Sequence, residues 1–345
     1  MNIERIFRGS PYYYERIQWI KFGENRLDFL SINFPPLCNY NCSFCFAANS
    51  LNKPQIGPKR EMISVDAMMV IIQEASQYWL RHIEISGEGE TTLPMFRPYL
   101  QKILQTASTL GIHVTIFTNG SLLDRKLLQL LCEYDVSLIL SIKYFDAKKY
   151  NQNVGRRMFD VIYKNIQFVE EVFSHTDIVD GCHIYNFWLF SWVFENNQQD
   201  NEQLRAYCDA HDIFFSLSSQ IPQWRLEDTQ VDYLHQDSVV DQYQHNSIIL
   251  AKSSVWDIWF SVCWTFYYGI GINFYGDWLF DAHAGIPIGN ISQMHMSQAW
   301  ERQKKLMHTL FTDYHCQSYC PLRDPNYQSF LQDCLLPNWW PWTQP

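Results

Sequence analysis

Apolar positions along the chain alternate between two periods. From residue 27 onward, apolar runs, all but one of them five to eight residues long, the length of a buried strand, alternate with stretches whose apolar residues recur at helical spacing. The runs at 27–34, 82–86, 112–117, 136–142, 183–194 and 213–219 predict strands. The stretches at 65–80, 98–110, 124–133, 158–173 and 201–211 predict helices, the first opened by Ser64 as an N-cap and the second stopped by Gly111. Strands alternating with helices predict an α/β fold built on a mainly parallel sheet. In such folds ligands gather at the carboxyl ends of the strands. The polar and glycine-rich positions fall there: a cysteine loop after the first strand, Gly87–Glu90 after the second, Thr118–Gly120 after the third and Ser141 at the end of the fourth.

The pattern divides the chain into four parts. Residues 1–26 are a polar and aromatic lead-in that includes Tyr12, Tyr13 and Tyr14, expected to pack on the main domain. Residues 27–220 form the alternating core, and 221–252 are a polar connecting segment. Residues 253–345 consist of short aromatic stretches broken by glycines, with a hairpin turning at Gly276-Asp277 and a helix at 298–309.

Composition changes this picture only in part. With 345 residues, 47% of them hydrophobic, the chain can bury a large core. Aromatic residues make up 16%, which suits a ring-lined cleft but is first of all core material. A net charge of −10, spread along the chain, argues against a nucleic-acid groove. No apolar run approaches a membrane span, and the N-terminus lacks a signal-peptide layout. The expectation is a cytoplasmic protein. Ten cysteines in such a protein point to metal binding or catalysis rather than disulfides. Cys132, Cys182 and Cys208 stand isolated among apolar neighbours and read as core cysteines.

The chemistry concentrates in Cys38-Asn-Tyr-Asn-Cys42-Ser-Phe-Cys45, a C-x-x-x-C-x-x-C array on one tight loop. Cubane iron–sulfur clusters normally take four cysteines, so three on one loop leave an iron open for another ligand. A zinc site completed from elsewhere is the competing reading of the bare motif. The order of motifs, with a glycine–glutamate run after the second strand and Thr-Asn-Gly after the third, resembles the radical S-adenosylmethionine (radical SAM) enzymes over residues 27–220. That resemblance implies a partial (β/α)6 TIM-like barrel. It implies a [4Fe–4S] cluster on Cys38, Cys42 and Cys45, with S-adenosylmethionine chelating the open iron. It also implies reductive cleavage to a 5′-deoxyadenosyl radical that abstracts a substrate hydrogen. Phe44 matches the family's aromatic near the adenine. Gly87, Gly89 and Glu90 resemble its glycine–glutamate motif, although Glu88 intrudes and Thr91 stands where a proline is familiar. Asn119 and Ser141 sit where the family contacts methionine or ribose, and Asn119 equally suits a plain turn. Lys143 and Arg156 read either as groups at the barrel mouth or as solvated surface.

The C-terminal part resembles, more weakly, the auxiliary-cluster extensions called SPASM or twitch domains, a smaller addition to the barrel. Cys263, the glycine hairpin, Trp300 and Cys316-x-x-x-Cys320 recur in that order. The resemblance implies one auxiliary [4Fe–4S] cluster on Cys263, Cys316, Cys320 and Cys334, with Asp281 or His283 as a replacement for one cysteine. A metal-free domain kept for shape is the alternative.

The function expected is modification of a peptide by cross-linking, oxidation or epimerisation. The alternatives are the same radical chemistry on a small molecule, such as alcohol or sugar dehydrogenation or a cyclisation, and a non-catalytic iron–sulfur or zinc protein. The expected partners are the peptide or small-molecule substrate and an electron donor such as flavodoxin or ferredoxin, with neither nucleic acid nor membrane.

Overall fold

The computed structural model describes residues 4–20, 26–43, 45, 61–87, 89–173, 177–194, 196–219, 266, 268–282, 285–316 and 325–335. Its centre is a parallel run of strands: β2 (Phe29–Phe34), β3 (His82–Gly87), β4 (His113–Thr118), β5 (Ser137–Ser141), β8 (Phe187–Val193) and β9 (Phe214–Ser219). Neighbours in this series are hydrogen-bonded in register, and the sheet does not close on itself. The expected partial (β/α)6 barrel is what the chain forms. Every residue of β2 is buried, as parallel strands covered on both faces must be.

Helices cover the outside. They are α2 (Val65–Ser76), α3 (Arg97–Thr109), α4 (Arg125–Glu133), α5 (Ala147–Val154), α6 (Phe159–Phe173) and α7 (Gln198–Ala210). In α2 the buried residues Met68, Ile71, Ile72 and Ala75 follow helical spacing, and the Ser64 hydroxyl accepts from the Ala67 amide at 3.1 Å. Asp124 caps α4 in the same way, accepting from the Leu127 amide at 2.8 Å. The sequence pattern misses α5. Only Tyr150 and Val154 of its eight residues are buried, and the rest, apart from Ala147, are polar or charged.

The apolar run at 183–194 is two strands, not one. β7 (Cys182–Tyr185) and β8 are separated by Asn186 and belong to different sheets. β7 pairs with β6 (Asp177–Val179) and, in parallel, with β1 (Glu4–Phe7) from the lead-in. With α1 (Pro11–Arg16), β1 closes the end of the barrel where the strands begin. There the Ser137 hydroxyl donates to the Arg8 carbonyl at 2.8 Å, and Tyr14 Oη lies 3.0 Å from His82 Nδ1.

This floor is acid-sensitive. Burial pulls the His82 imidazole down to about 3, and burial with the nearby His82 charge also pulls His113 down. The unfolded chain takes up a proton on His82 below pH ~6.5, whereas the native chain does not until about 3. Stability from this group is therefore full above pH ~6.5 and falls as pH drops toward 3, by up to about 1.4 kcal/mol per pH unit. Chemical denaturation across that range in wild type and His82→Phe should show a shallower acid dependence in the variant. An unchanged slope would contradict this account.

At the other edge, β10 (Gly269–Asn273) pairs in parallel with β2 over five residues. β11 (Asp277–Asp281) and β12 (Ile286–Asn290) follow in antiparallel fashion and extend the same sheet. The hairpin turns at residues 274–276, and Asp277 already belongs to β11. The helix expected at 298–309 is α8 (Met296–Thr312), which packs on β12 and α2. Its Gln303 is fully buried and donates to the Phe280 carbonyl at 3.0 Å. Beside it Phe266, Phe280, Tyr327 and Phe330 form one aromatic cluster, the last two from α9 (Pro325–Phe330). Among the described residues no helix is long and apolar enough to cross a membrane.

Candidate active site

The cysteine loop leaves the carboxyl end of β2 and is held from three sides. On one side lies the exit of β3. A Cβ on Gly89 would collide with the backbone of Pro35 and Leu37, and one on Gly87 would meet the Phe34 backbone at 2.6 Å. These glycines therefore let two chain segments touch. The contact is sealed by the Glu90 amide donating to the Leu37 carbonyl at 2.7 Å. On the second side lies α5. The Asn41 and Ser43 amides donate to the Val154 and Asn153 carbonyls at 3.1 and 2.9 Å, and the Tyr150 hydroxyl donates to Tyr40 at 3.2 Å.

The third side is the turn after β4. Asn119 Nδ2 lies 3.0 Å from Asn39 Oδ1 and 3.7 Å from Cys38 Sγ. Asn39 in turn donates to the Ser121 hydroxyl at 2.7 Å, and Asn119 Oδ1 accepts from the Ser121 amide at 2.9 Å. The Asn119 side chain thus reaches from its own turn to the first cysteine. Asn39, Tyr40 and Ser121 are parts of the site that the motif does not name, because the C-x-x-x-C spacing leaves its intervening positions open.

Glu90 lies beneath this rim and is buried. Its Oε1 accepts from the Thr92 amide at 2.9 Å, the Thr118 hydroxyl at 2.6 Å and the Thr92 hydroxyl, and Oε2 accepts from the Asn119 amide at 2.7 Å. Burial raises its pKa, and these four donors pull the other way. The carboxylate is turned inward, clamping the ends of β3 and β4 together. Replacing Gly89 by alanine should push the Leu37 backbone off Glu90 and displace the cysteine loop. Anaerobically reconstituted Gly89→Ala protein is expected to take up markedly less iron than reconstituted wild type, measured by iron assay, with little change in far-ultraviolet circular dichroism. Full iron retention would contradict the contact.

Cys38, Cys42 and Cys45 form no disulfide, and each is partly exposed. Burial pushes Cys38 up to about 11 and Cys42 up to about 12, and in both the neighbouring cysteines add to the rise. The thiols therefore sense one another's charge. Among the described residues no three His, Cys, Asp or Glu side chains are gathered as around a single metal ion. Three thiols on one half-open loop, whose thiolates would repel one another, are a donor set that the cationic core of an iron–sulfur cluster would stabilise in the deprotonated form.

Ser141 ends β5 on the same rim, beside Phe190 of β8. Phe44, Cys263, His283 and Cys320 lie outside the described residues. Cys316 is buried after α8, while Cys334 is exposed with its thiol 3.6 Å from the Tyr314 hydroxyl. Asp281 is buried and accepts from the Tyr327 hydroxyl at 3.3 Å. Arg156 is exposed, whereas Lys143 is not: it is buried inside the barrel.

Residues 32–187 match the family model of the Radical SAM superfamily. That segment is similar to a radical SAM domain. Among curated proteins, the S-adenosylmethionine-dependent nucleotide dehydratase of Flammeovirga pacifica is 28% identical over 157 residues, covering 44% of this chain and 52% of that protein. The molybdenum cofactor biosynthesis protein moc-5 of Caenorhabditis elegans is 28% identical over 141 residues, covering 40% of this chain and 22% of that one. The match thus spans about half or less of those relatives. Among solved structures, SuiB of Streptococcus suis bound to its precursor peptide SuiA superposes with a TM-score of 0.57 at 18% identity, over 81% of this chain and 65% of that one. The anSMEcpe structure with bound AdoMet superposes with a TM-score of 0.58 at 16% identity, over 88% and 96%. These superpositions show a shared fold that reaches beyond residue 187 into the C-terminal part.

Proposed function

We propose that the chain is a radical SAM enzyme that modifies a peptide. The observation that carries the radical chemistry is the hydrogen-bonded union of the cysteine loop with the Gly87–Glu90 and Asn119 segments on one rim. In this reading Cys38, Cys42 and Cys45 hold a [4Fe–4S] cluster. When bound, that cluster supplies the electron that cleaves S-adenosylmethionine to methionine and a 5′-deoxyadenosyl radical. The chain's own residues position the nucleotide. Phe44 would serve the adenine, the backbone of Gly87 and Gly89 the methionine amine, and the Asn119 side chain and Ser141 hydroxyl the carboxylate and ribose. Glu90 contributes by fixing the Asn119 backbone. The substrate reading rests on the fold likeness to SuiB with SuiA and to anSMEcpe, which has been captured with AdoMet and a peptide. The relationship to a nucleotide dehydratase supports the second reading, the same chemistry on a small molecule.

The C-terminal cysteines Cys263, Cys316, Cys320 and Cys334 are proposed to hold one auxiliary [4Fe–4S] cluster, with Asp281 or His283 replacing a cysteine. The protein is placed in the cytoplasm with a flavodoxin or ferredoxin as electron donor.

Electron paramagnetic resonance of the anaerobically reconstituted, dithionite-reduced protein tests the site. Adding S-adenosylmethionine should change the cluster signal, because the molecule binds iron directly. An unchanged signal, with the cluster intact, removes the enzyme reading and leaves a non-catalytic iron–sulfur protein.

A further inference from the structure

Lys143 follows β5, two residues beyond Ser141, and only 3% of it is exposed. Its ammonium nitrogen has no hydrogen-bond partner among the described residues. It lies 4.4 Å from the ring centroid of Phe190 and 4.5 Å from that of Trp192. These two rings alternate along β8 and so share one of its faces. Burial draws the amine well below its ordinary pKa, and the Cys42 thiol on the same side of the barrel pulls the other way.

The backbone around this amine is fixed. Fully buried Asn197 donates to the Lys143 carbonyl at 2.9 Å and to the Trp192 carbonyl at 2.8 Å. It accepts from the Phe194 amide at 2.8 Å and from Asn201 at 3.2 Å. Asn201 also accepts from the Ser191 hydroxyl at 2.8 Å. These backbone and amide groups beside Lys143 are thus paired, and among the described residues the amine between the rings is left over. Two aromatic faces stabilise an ammonium by about 0.5–2 kcal/mol each, less than its loss of water costs. A buried cation is ordinarily paired with an anion.

We propose that Lys143 is a specificity residue that binds an anionic oxygen group, a carboxylate or a phosphate, of the substrate in the barrel. This deepens the proposed function, since it rests on the barrel mouth being the reaction site. The substrate then carries such a group and is seated against Phe190 and Trp192 on the Cys42 side.

The test is a calorimetric titration of anaerobically reconstituted protein, with S-adenosylmethionine present, using two probes. Succinate represents a carboxylate, as on an acidic side chain, and pyrophosphate represents a phosphorylated small molecule. Wild type is expected to bind one of them, and Lys143→Met to bind it at least about tenfold more weakly, the loss of one charged hydrogen bond. Lys143→Arg should restore part of that affinity. Which probe binds identifies the substrate class. Methionine removes a buried unpaired amine at similar volume, so the variant should melt no lower than wild type. If it does melt lower, the arginine variant, which keeps the charge but not its position, carries the comparison.

Absence of binding by either probe at tens of millimolar overturns the proposal, as does equal binding in Lys143→Met. So does a loss of S-adenosylmethionine affinity in place of probe affinity, which would assign the lysine to the methionine carboxylate. Because no cleavage is measured, a failed titration is distinguishable from failure of the radical chemistry itself.

Discussion

Replacing Cys38, Cys42 and Cys45 together by alanine is expected to abolish cleavage of S-adenosylmethionine and leave a folded protein. The three thiols lie on a loop that is partly exposed, and only Cys38 and Cys42 touch the edge of the core. The loop is anchored by other groups: the Leu37 carbonyl, the Asn41 and Ser43 amides, and the Asn39 and Tyr40 side chains. The triple variant should therefore keep a melting temperature within a few degrees of the wild-type protein lacking metal. Iron should fall from about eight to about four atoms per chain, the auxiliary share, since each cubane holds four. A Cys316→Ala/Cys320→Ala protein should show the reverse loss, retaining iron on the first loop. Unchanged iron in the second variant would remove the auxiliary cluster from the account.

Glu90 carries the second large effect. In Glu90→Ala the Thr92 amide, the Asn119 amide and two threonine hydroxyls lose their shared acceptor inside the core. Leaving buried donors unsatisfied costs about 1–3 kcal/mol each, although the hydroxyls can turn elsewhere. A loss of roughly 3–5 kcal/mol is expected, read as a lowered denaturation midpoint. Glu90→Gln separates position from charge. Its oxygen can still serve Thr92 and Thr118, but its amide would then face the Asn119 amide, donor against donor. A smaller loss of about 1–3 kcal/mol should follow, with a displaced Asn119 and weaker binding of S-adenosylmethionine. A Gln variant as stable as wild type would show that the Oε2–Asn119 contact contributes nothing.

The barrel was legible because its signals are redundant. Apolar runs marked β2, β3, β4, β5 and β9, and the Ser64 cap marked the start of α2. The cysteine loop was legible because its chemistry is local to eight residues. What escaped the sequence depends on distant partners. The run at 183–194 looks continuous, because Tyr185 and Phe187 are both buried, yet Tyr185 faces β1 while Phe187 faces β5. Helix α5 escaped because it holds the cysteine loop largely through the Asn153 and Val154 carbonyls, and only Tyr150 and Val154 among its side chains are buried. Lys143 was ambiguous because a lysine after a strand usually meets water, and the rings of Phe190 and Trp192 against which it is buried come some fifty residues later. The inward turn of the Glu90 carboxylate likewise depends on Thr118 and Asn119 from the next strand.

The central claim is that this rim generates a radical from S-adenosylmethionine. The most direct measurement is mass-spectrometric detection of 5′-deoxyadenosine after anaerobic reconstitution and addition of S-adenosylmethionine and dithionite. The account predicts that 5′-deoxyadenosine and methionine form together in wild type and that neither forms in the triple cysteine variant. Wild-type protein with an intact cluster that yields no 5′-deoxyadenosine would contradict it.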